Sequence, residues 1–246
     1  MIIYSYLIQM RRLIGVTSQE FINKLSPKTK KIISGYELKN SNKRNIIIYL
    51  NYAHTRVDMS DPNKYIFEIK IQDSPYDMEY ALLHEFYHCI QRDNGFPYTI
   101  YKNSEYQKIS SYISSIILDC DVYDRLLNDG YKESPDILHR NFVEIQKLFM
   151  FFLEEKEKEY KYFLDSLDNQ IFYSGKLLLL SKYYDEKDAV IKLIDLSKRF
   201  YPLIYNCYCI FSNAIQKFGF SSPETTRKIF ENVIENLNLT KFIEII

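Results

Sequence analysis

The feature that most constrains this chain is a short polar motif inside an otherwise apolar, helix-forming stretch. Residues 79–95 read EYALLHEFYHCIQRDNG, and the middle of this stretch is aliphatic or aromatic apart from His84, Glu85 and His88. Residues four apart on an α-helix lie about 40° apart around its axis, so both imidazoles project in one direction. Two of the chain's four histidines therefore share one face of a predicted helix.

The spacing H-E-x-x-H places a carboxylate beside two metal-binding imidazoles. Glu85 is rotated by about 100° from His84, so its side chain lies next to a shared ion rather than among the ligands. That is the position of a general base for a metal-activated water. The ordinary alternative is that the three polar groups lie on the surface by chance. The residues around them are mostly apolar, however, which predicts a buried helix, and burying three polar groups is costly unless they are paired or bind a metal. We therefore expect His84 and His88 to be metal ligands and Glu85 to be catalytic.

Composition indicates a globular chain with no bias towards polyanions. The 246 residues are 46% hydrophobic and 26% charged, and 32 Lys and Arg balance 32 Asp and Glu. This balance gives no reason to expect a nucleic-acid or membrane partner. The N-terminus is apolar before it is basic, the reverse of a signal peptide, and no run of about 18 apolar residues occurs. We expect a soluble, cytoplasmic protein with reduced thiols at Cys89, Cys120, Cys207 and Cys209.

Changes of pattern along the chain predict an α+β fold with a small N-terminal sheet followed by helices. Residues 44–53 and 64–72 are rich in β-branched and aromatic residues, so we expect two strands, either a hairpin or neighbours in one sheet. Helices are predicted from Ser18, from Ser74 to about Arg92 with Gly95 as the cap, and over 104–129, 134–165, 168–184, 186–217 (with a break near Pro202) and 223–237. We place a core with the motif in residues 1–130 and a helical subdomain in residues 131–246.

The segment ALLHEFYHCIQ, with strands before it and a helix after it, resembles the active-site helix of zincin-type metallopeptidases. The resemblance covers residues 64–127 and is to an uncharacterised intracellular branch of that superfamily. It implies a zincin-like fold for the first 130 residues and one Zn²⁺ per chain bound by His84 and His88. It also implies that Glu85 polarises the attacking water and that the substrate is a peptide or protein.

The resemblance further implies where an extended substrate binds. In zincins an edge strand before the motif helix pairs with the substrate, and by position this is YIFEIKI, residues 65–71, which contains Phe67 and Ile69. Zincin sites commonly add a Tyr or His that stabilises the oxyanion; among the 23 tyrosines no one residue stands out, although Tyr123 is close to the expected ligand helix. His139, on a later helix, could reach the cleft but is more often a structural or surface residue, and His54 lies between the predicted strands.

The third metal ligand is not specified by the motif, because no histidine follows in the HExxHxxGxxH pattern. A catalytic zinc needs three protein ligands, so a carboxylate from the next helix is expected. Glu105 has the spacing of the glutamate-type zincins, but acidic residues are favoured in any first helical turn. Asp119 is our first choice because SSIILDCDVYDRLLNDGY is similar to a pattern in uncharacterised zincin-like proteins, with an Asp three residues before a Val. Asp121 and Glu105 remain alternatives. Asp121 and Asp124 lie towards Arg125 on the predicted helix, so each could instead be solvated or paired with that side chain.

These observations predict a zinc-dependent metallopeptidase of unknown substrate. The alternatives are a catalytically silent zincin-like binding or regulatory module, and a helical interaction protein in which the motif is accidental. The sequence does not specify an oligomeric state.

Overall fold

The fold is taken from a computed structural model that describes residues 18–39, 45–51, 55–58, 64–71, 74–132, 135–154, 166–220 and 222–246. These residues form an α+β structure that is mostly helical with a small sheet, as predicted. The chain divides into two compact units, Met1–Ile90 and Gln91–Ile246. The division falls inside one continuous helix, Pro75–Asp93, which carries both motif histidines.

The first unit contains two short helices and a three-stranded sheet ahead of the motif helix. Its elements are α1 (Ser18–Lys24), α2 (Pro27–Lys39), β1 (Asn45–Asn51), β2 (Arg56–Asp58), β3 (Lys64–Lys70) and most of α3 (Pro75–Asp93). The strand order is β1-β3-β2, with β1 parallel and β2 antiparallel to β3. The two predicted strands are therefore sheet neighbours and not the arms of a hairpin, because a hairpin turn can join only antiparallel strands.

The prediction that residues 65–71 form an edge strand is wrong. β3 pairs with β1 on one side and β2 on the other, and the Lys70 amide donates to Thr55 Oγ1 at 3.0 Å beyond the end of β2. Phe67 and Ile69 are fully buried in the core of this unit. Both the backbone edges and these side chains are occupied, so an extended peptide cannot add to this strand.

Helix α3 begins and ends where its sequence predicts. Ser74 Oγ accepts a hydrogen bond from the Asp77 amide at 3.4 Å and so caps the first turn. Gly95 has a φ of 74°, the left-handed conformation that terminates helices, and its amide donates to the Arg92 carbonyl at 3.0 Å. The face of α3 that packs in the first unit consists of Met78, Leu82, Phe86 and Cys89.

The second unit is almost entirely helical. Its helices are α4 (Gln107–Asn128), α5 (Pro135–Glu154), α6 (Leu167–Tyr183), α7 (Lys187–Phe200), α8 (Pro202–Phe218) and α9 (Pro223–Asn236). The predicted break near Pro202 is confirmed, since Pro202 opens a new helix. The predicted extension of the third long helix to residue 165 falls on 155–165, which lie outside the described residues. Within the described ranges, each helix is too short or too polar to span a lipid bilayer.

Helix α4 packs with the C-terminal helices. Ile113 and Ile117 of α4 lie in one buried cluster with Phe211 of α8 and Phe230 of α9. This packing explains why α4 falls in the second compact unit, although the sequence placed a boundary after residue 130. The predicted domain assignment itself stays a prediction.

Two three-residue strands that we did not predict complete the second unit. β4 (Thr99–Tyr101) pairs antiparallel with β5 (Ile243–Ile245). The pairing is extended by reciprocal hydrogen bonds between Tyr98 and Ile246 at 3.1 and 2.9 Å. Thr99 also binds α4, because its amide donates to Ser114 Oγ at 2.9 Å. The segment after α3 is thus held against α4 within the second unit.

Candidate metal centre

The two motif histidines lie on the side of α3 away from the face that packs in the first-unit cluster. His84 follows Leu82 by two residues, or about 200° of helical rotation, and is half-buried, as is His88. The two rings are 4.9 Å apart between centroids at an interplanar angle of 79°. Their Nε2 atoms are 3.3 Å apart.

This separation fits two ligands of one metal ion. Two nitrogens that share a tetrahedral zinc at about 2.0–2.1 Å are separated by about 3.3–3.4 Å, which matches the distance between the Nε2 atoms of His84 and His88. The same distance permits a hydrogen bond between the rings when one Nε2 carries a proton. Metal binding needs both Nε2 atoms deprotonated, with the remaining proton of each ring on Nδ1.

Asp119 of α4 is the third member of a candidate metal-binding group. One ligand atom each of His84, His88 and Asp119 all lie within 4.8 Å of one another, and all three residues are half-buried. Asp119 Oδ2 accepts a hydrogen bond from Ser115 Oγ at 2.8 Å, one helical turn earlier. The donor set of two imidazoles and one carboxylate is one that binds zinc, so this group could hold a metal ion.

Asp121, an alternative third ligand, is held by two protein donors. Its Oδ2 accepts from Gln91 Nε2 and from Arg125 Nε, each at 2.8 Å, and the residue is only 5% exposed. The predicted position beside Arg125 is confirmed. Asp121 is not a member of the group formed by His84, His88 and Asp119.

The other acidic residues of this region also have ordinary structural partners. Glu105 is exposed in a single 3₁₀ turn before α4, where its amide donates to Asn103 Oδ1 at 3.2 Å. Asp124 accepts from Tyr183 Oη at 2.8 Å and pairs with Lys182 Nζ at 3.1 Å. The Asp124 carboxylate therefore contacts two side chains of α6. The sequence had suggested that it lies towards Arg125.

Glu85 is half-buried and follows His84 directly on α3. Among the described residues its carboxylate has no hydrogen bond or ion pair. A half-buried carboxylate without a protein partner is available to bind a water or a substrate proton. Its catalytic role stays a prediction.

Sequence reasoning overlooked Gln91, which is 1% exposed and joins the last turn of α3 to α4. The sequence did contain an indication of this contact, because Gln91 follows His84 by seven positions and so lies about 20° from it around the helix. An amide on the face of the two histidines is a sign of an ordered polar contact.

The remaining candidates have structural roles or lie outside the described residues. His139 Nδ1 is 2.8 Å from Tyr184 Oη. The rings of Tyr123 and Tyr183 pack together with their centroids 5.1 Å apart. His54 lies outside the described residues. Burial raises the pKa of the Cys207 thiol to about 11, so it stays neutral near neutral pH.

Comparisons with protein-family models, with curated protein sequences and with solved structures found no match to this chain.

Proposed function

We propose that this chain is a zinc-dependent metallopeptidase that hydrolyses peptide bonds in a peptide or protein substrate. The observation that carries the proposal is the convergence of ligand atoms of His84, His88 and Asp119 within 4.8 Å. The half-buried carboxylate of Glu85 beside it adds the second component that hydrolysis needs.

Three side chains would hold the ion, and the fourth position would remain for water and substrate. His84 and His88 would bind through Nε2, and Asp119 through a carboxylate oxygen. Zinc bound in this way lowers the pKa of a bound water to about 7 and polarises a carbonyl group. The Ser115 hydroxyl, which donates to Asp119 Oδ2, orients that carboxylate.

Glu85 is the general base in this proposal. Its carboxylate accepts a proton from the attacking water as the carbon–oxygen bond forms at the scissile carbonyl. The same group then gives the proton to the nitrogen of the leaving amine when the carbon–nitrogen bond breaks. The carboxylate can receive the proton because no side chain of the described residues already donates to it.

The proposed fold is zincin-like. It is supported by a sheet before the motif helix, by a cap at each end of that helix, and by a following helix that supplies a carboxylate. The substrate strand is not β3, because both edges of β3 are already paired.

Glu85→Gln tests the proposal. The zinc-loaded full chain is incubated with a mixed peptide library, and new termini are measured by mass spectrometry. We expect wild type to cleave peptides and Glu85→Gln to lose about 10²–10⁴-fold in rate while it keeps its zinc, because the amide cannot accept the proton. Glu105→Gln, which changes an exposed carboxylate, should keep both the zinc and the rate.

Equal rates for Glu85→Gln and wild type would contradict the role of Glu85. A wild-type protein that binds zinc and cleaves no library peptide would contradict peptide hydrolysis and favour the silent binding module instead.

A further inference from the structure

A buried polar cluster joins the last turn of α3 to the turn of α4 that carries Asp119. The Gln91 side-chain amide donates to the Leu118 carbonyl at 3.0 Å and to Asp121 Oδ2 at 2.8 Å. Gln91 and Asp121 are 1% and 5% exposed, so water cannot readily replace these bonds. The two acceptors are the residue immediately before Asp119 and the residue two positions after it.

Arg125 completes the cluster. Its Nε donates to Asp121 Oδ2 at 2.8 Å, and its guanidinium lies 5.4 Å from the centroid of the Phe96 ring. A buried carboxylate is stable only when a cation or several donors compensate its charge, and here Arg125 supplies the cation and Gln91 a further donor. We call Gln91, Asp121 and Arg125 the interhelix clamp.

The clamp is close along both helices to the candidate metal ligands. Gln91 follows His88 by three residues on one continuous helix, or about 4.5 Å along its axis. Asp119 lies within the turn of α4 that Gln91 contacts. The clamp therefore fixes the turn of α4 that carries Asp119 against the last turn of the helix whose sequence includes His84 and His88.

We propose that the interhelix clamp is a positioning device that sets the metal affinity of His84, His88 and Asp119. This inference rests on the proposed metal-binding function. Metal–ligand distances tolerate deviations of about 0.2 Å, so a small relative shift of α3 and α4 weakens binding. Residues that orient metal ligands typically contribute about 10–100-fold to affinity when they are mutated.

The same helix provides a matched control at its other end. Glu79 accepts from the Ser26 amide at 3.1 Å and from Ser26 Oγ at 2.5 Å, and Thr29 Oγ1 donates to it as well. These bonds hold α3 against the start of α2 within the first unit and do not reach α4. Glu79→Gln and Gln91→Leu thus each disturb a polar contact of α3, but only Gln91→Leu disturbs the clamp.

The experiment measures the zinc dissociation constant of folded wild type, Gln91→Leu and Glu79→Gln by competition with a chromophoric chelator. We expect Gln91→Leu to bind zinc at least about tenfold more weakly and Glu79→Gln to stay within about twofold of wild type. With Co²⁺ in place of zinc, the visible absorption of Gln91→Leu should also change, because that absorption reports ligand geometry.

Arg125→Lys provides a second variant should Gln91→Leu not fold. Lys keeps a cation beside the buried Asp121 carboxylate but does not reproduce the Nε–H···Oδ2 bond, so the fold is disturbed less, and we again expect zinc binding at least about tenfold weaker. Wild-type affinity and an unchanged Co²⁺ spectrum in the clamp variant would overturn the clamp while leaving the metal site intact. A wild-type chain that binds no metal would overturn both the clamp and the proposed function.

Discussion

Two aspartates two residues apart on α4 have different surroundings. Asp119 is half-buried with one ligand atom close to His84 and His88, and Ser115 orients it. Asp121 is buried and accepts from a neutral and a cationic donor.

Buried thiols make the stability of the protein depend on pH in the alkaline range. Burial raises the pKa of Cys207 to about 11 and that of Cys120 to about 12. The unfolded chain loses these protons from about pH 8.5, whereas the folded chain keeps them. Unfolding therefore releases protons above that pH, and the free energy of unfolding falls as the pH rises.

We predict that the free energy of unfolding falls by on the order of 1–2 kcal/mol between pH 8.5 and pH 10 because Cys207 loses its proton in the unfolded chain but not in the folded one. Urea unfolding of wild type and Cys207→Ala across this range checks the prediction. The variant should be less stable at pH 7.5 because of the cavity, yet its stability should fall less steeply with pH. Parallel pH curves for the two proteins would show that Cys207 does not titrate as its burial requires.

The residue-level predictions differed in their physical basis. His84 and His88 were predictable because helical periodicity alone sets their relative direction. Glu105, Asp119 and Asp121 could not be separated by periodicity, because the choice depends on which side of α4 meets another element. Our preference for Asp119 came from a resemblance; ligand atoms of Asp119, His84 and His88 lie within 4.8 Å of one another, and the role of Asp119 as a ligand stays a prediction.

At the scale of elements, α4 and α6 approach closely at a glycine. A Cβ atom on Gly175 of α6 would lie 2.5 Å from Ile116 Cγ1 and 2.7 Å from its Cδ1. Both residues are buried, so no solvent-facing rotamer is available to relieve the contact. The close packing of these two helices therefore requires a residue without a side chain at position 175.

Gly175→Ala should destabilise the protein by about 1–2 kcal/mol. Overpacking costs about 1–3 kcal/mol, and the higher helix propensity of Ala offsets up to about 1 kcal/mol of it. Urea unfolding measures the change.

The matched test places the same substitution in an Ile116→Ala background, which removes both clashing atoms. There Gly175→Ala should be neutral or stabilising. An equal loss in both backgrounds would contradict the clash as its cause.

The long helices were predicted well because capping residues mark their ends. Ser74 and Gly95 bound α3 as expected, and Ser222 caps α9 through a reciprocal pair of hydrogen bonds with Thr225. The three-residue strands β2, β4 and β5 carry no period long enough to recognise. The wrong edge-strand prediction has the same origin, because the partners of β3 depend on contacts distant in sequence.

At the scale of the whole molecule, the chain divides into two compact units, and the point of division falls within the residue range of helix α3. The sequence suggested that the motif helix and α4 belong to one core, whereas α4 packs with the C-terminal helices. Amphipathic patterning shows that α4 has an apolar face but not which helices cover it. The HExxH motif lies on α3 and the Asp119 carboxylate on α4. The sequence predicted both of these helices but not which elements pack against them.

The proposed function depends first on whether His84, His88 and Asp119 bind one zinc ion. The most direct measurement is metal content by elemental mass spectrometry after zinc is supplied at neutral pH, for wild type, His88→Ala, Asp119→Ala and Glu105→Ala. We predict about one zinc per chain in wild type and Glu105→Ala, and almost none in His88→Ala and Asp119→Ala, because each removes a ligand. A wild-type chain without zinc, or an Asp119→Ala chain that keeps it while Glu105→Ala loses it, would contradict the account.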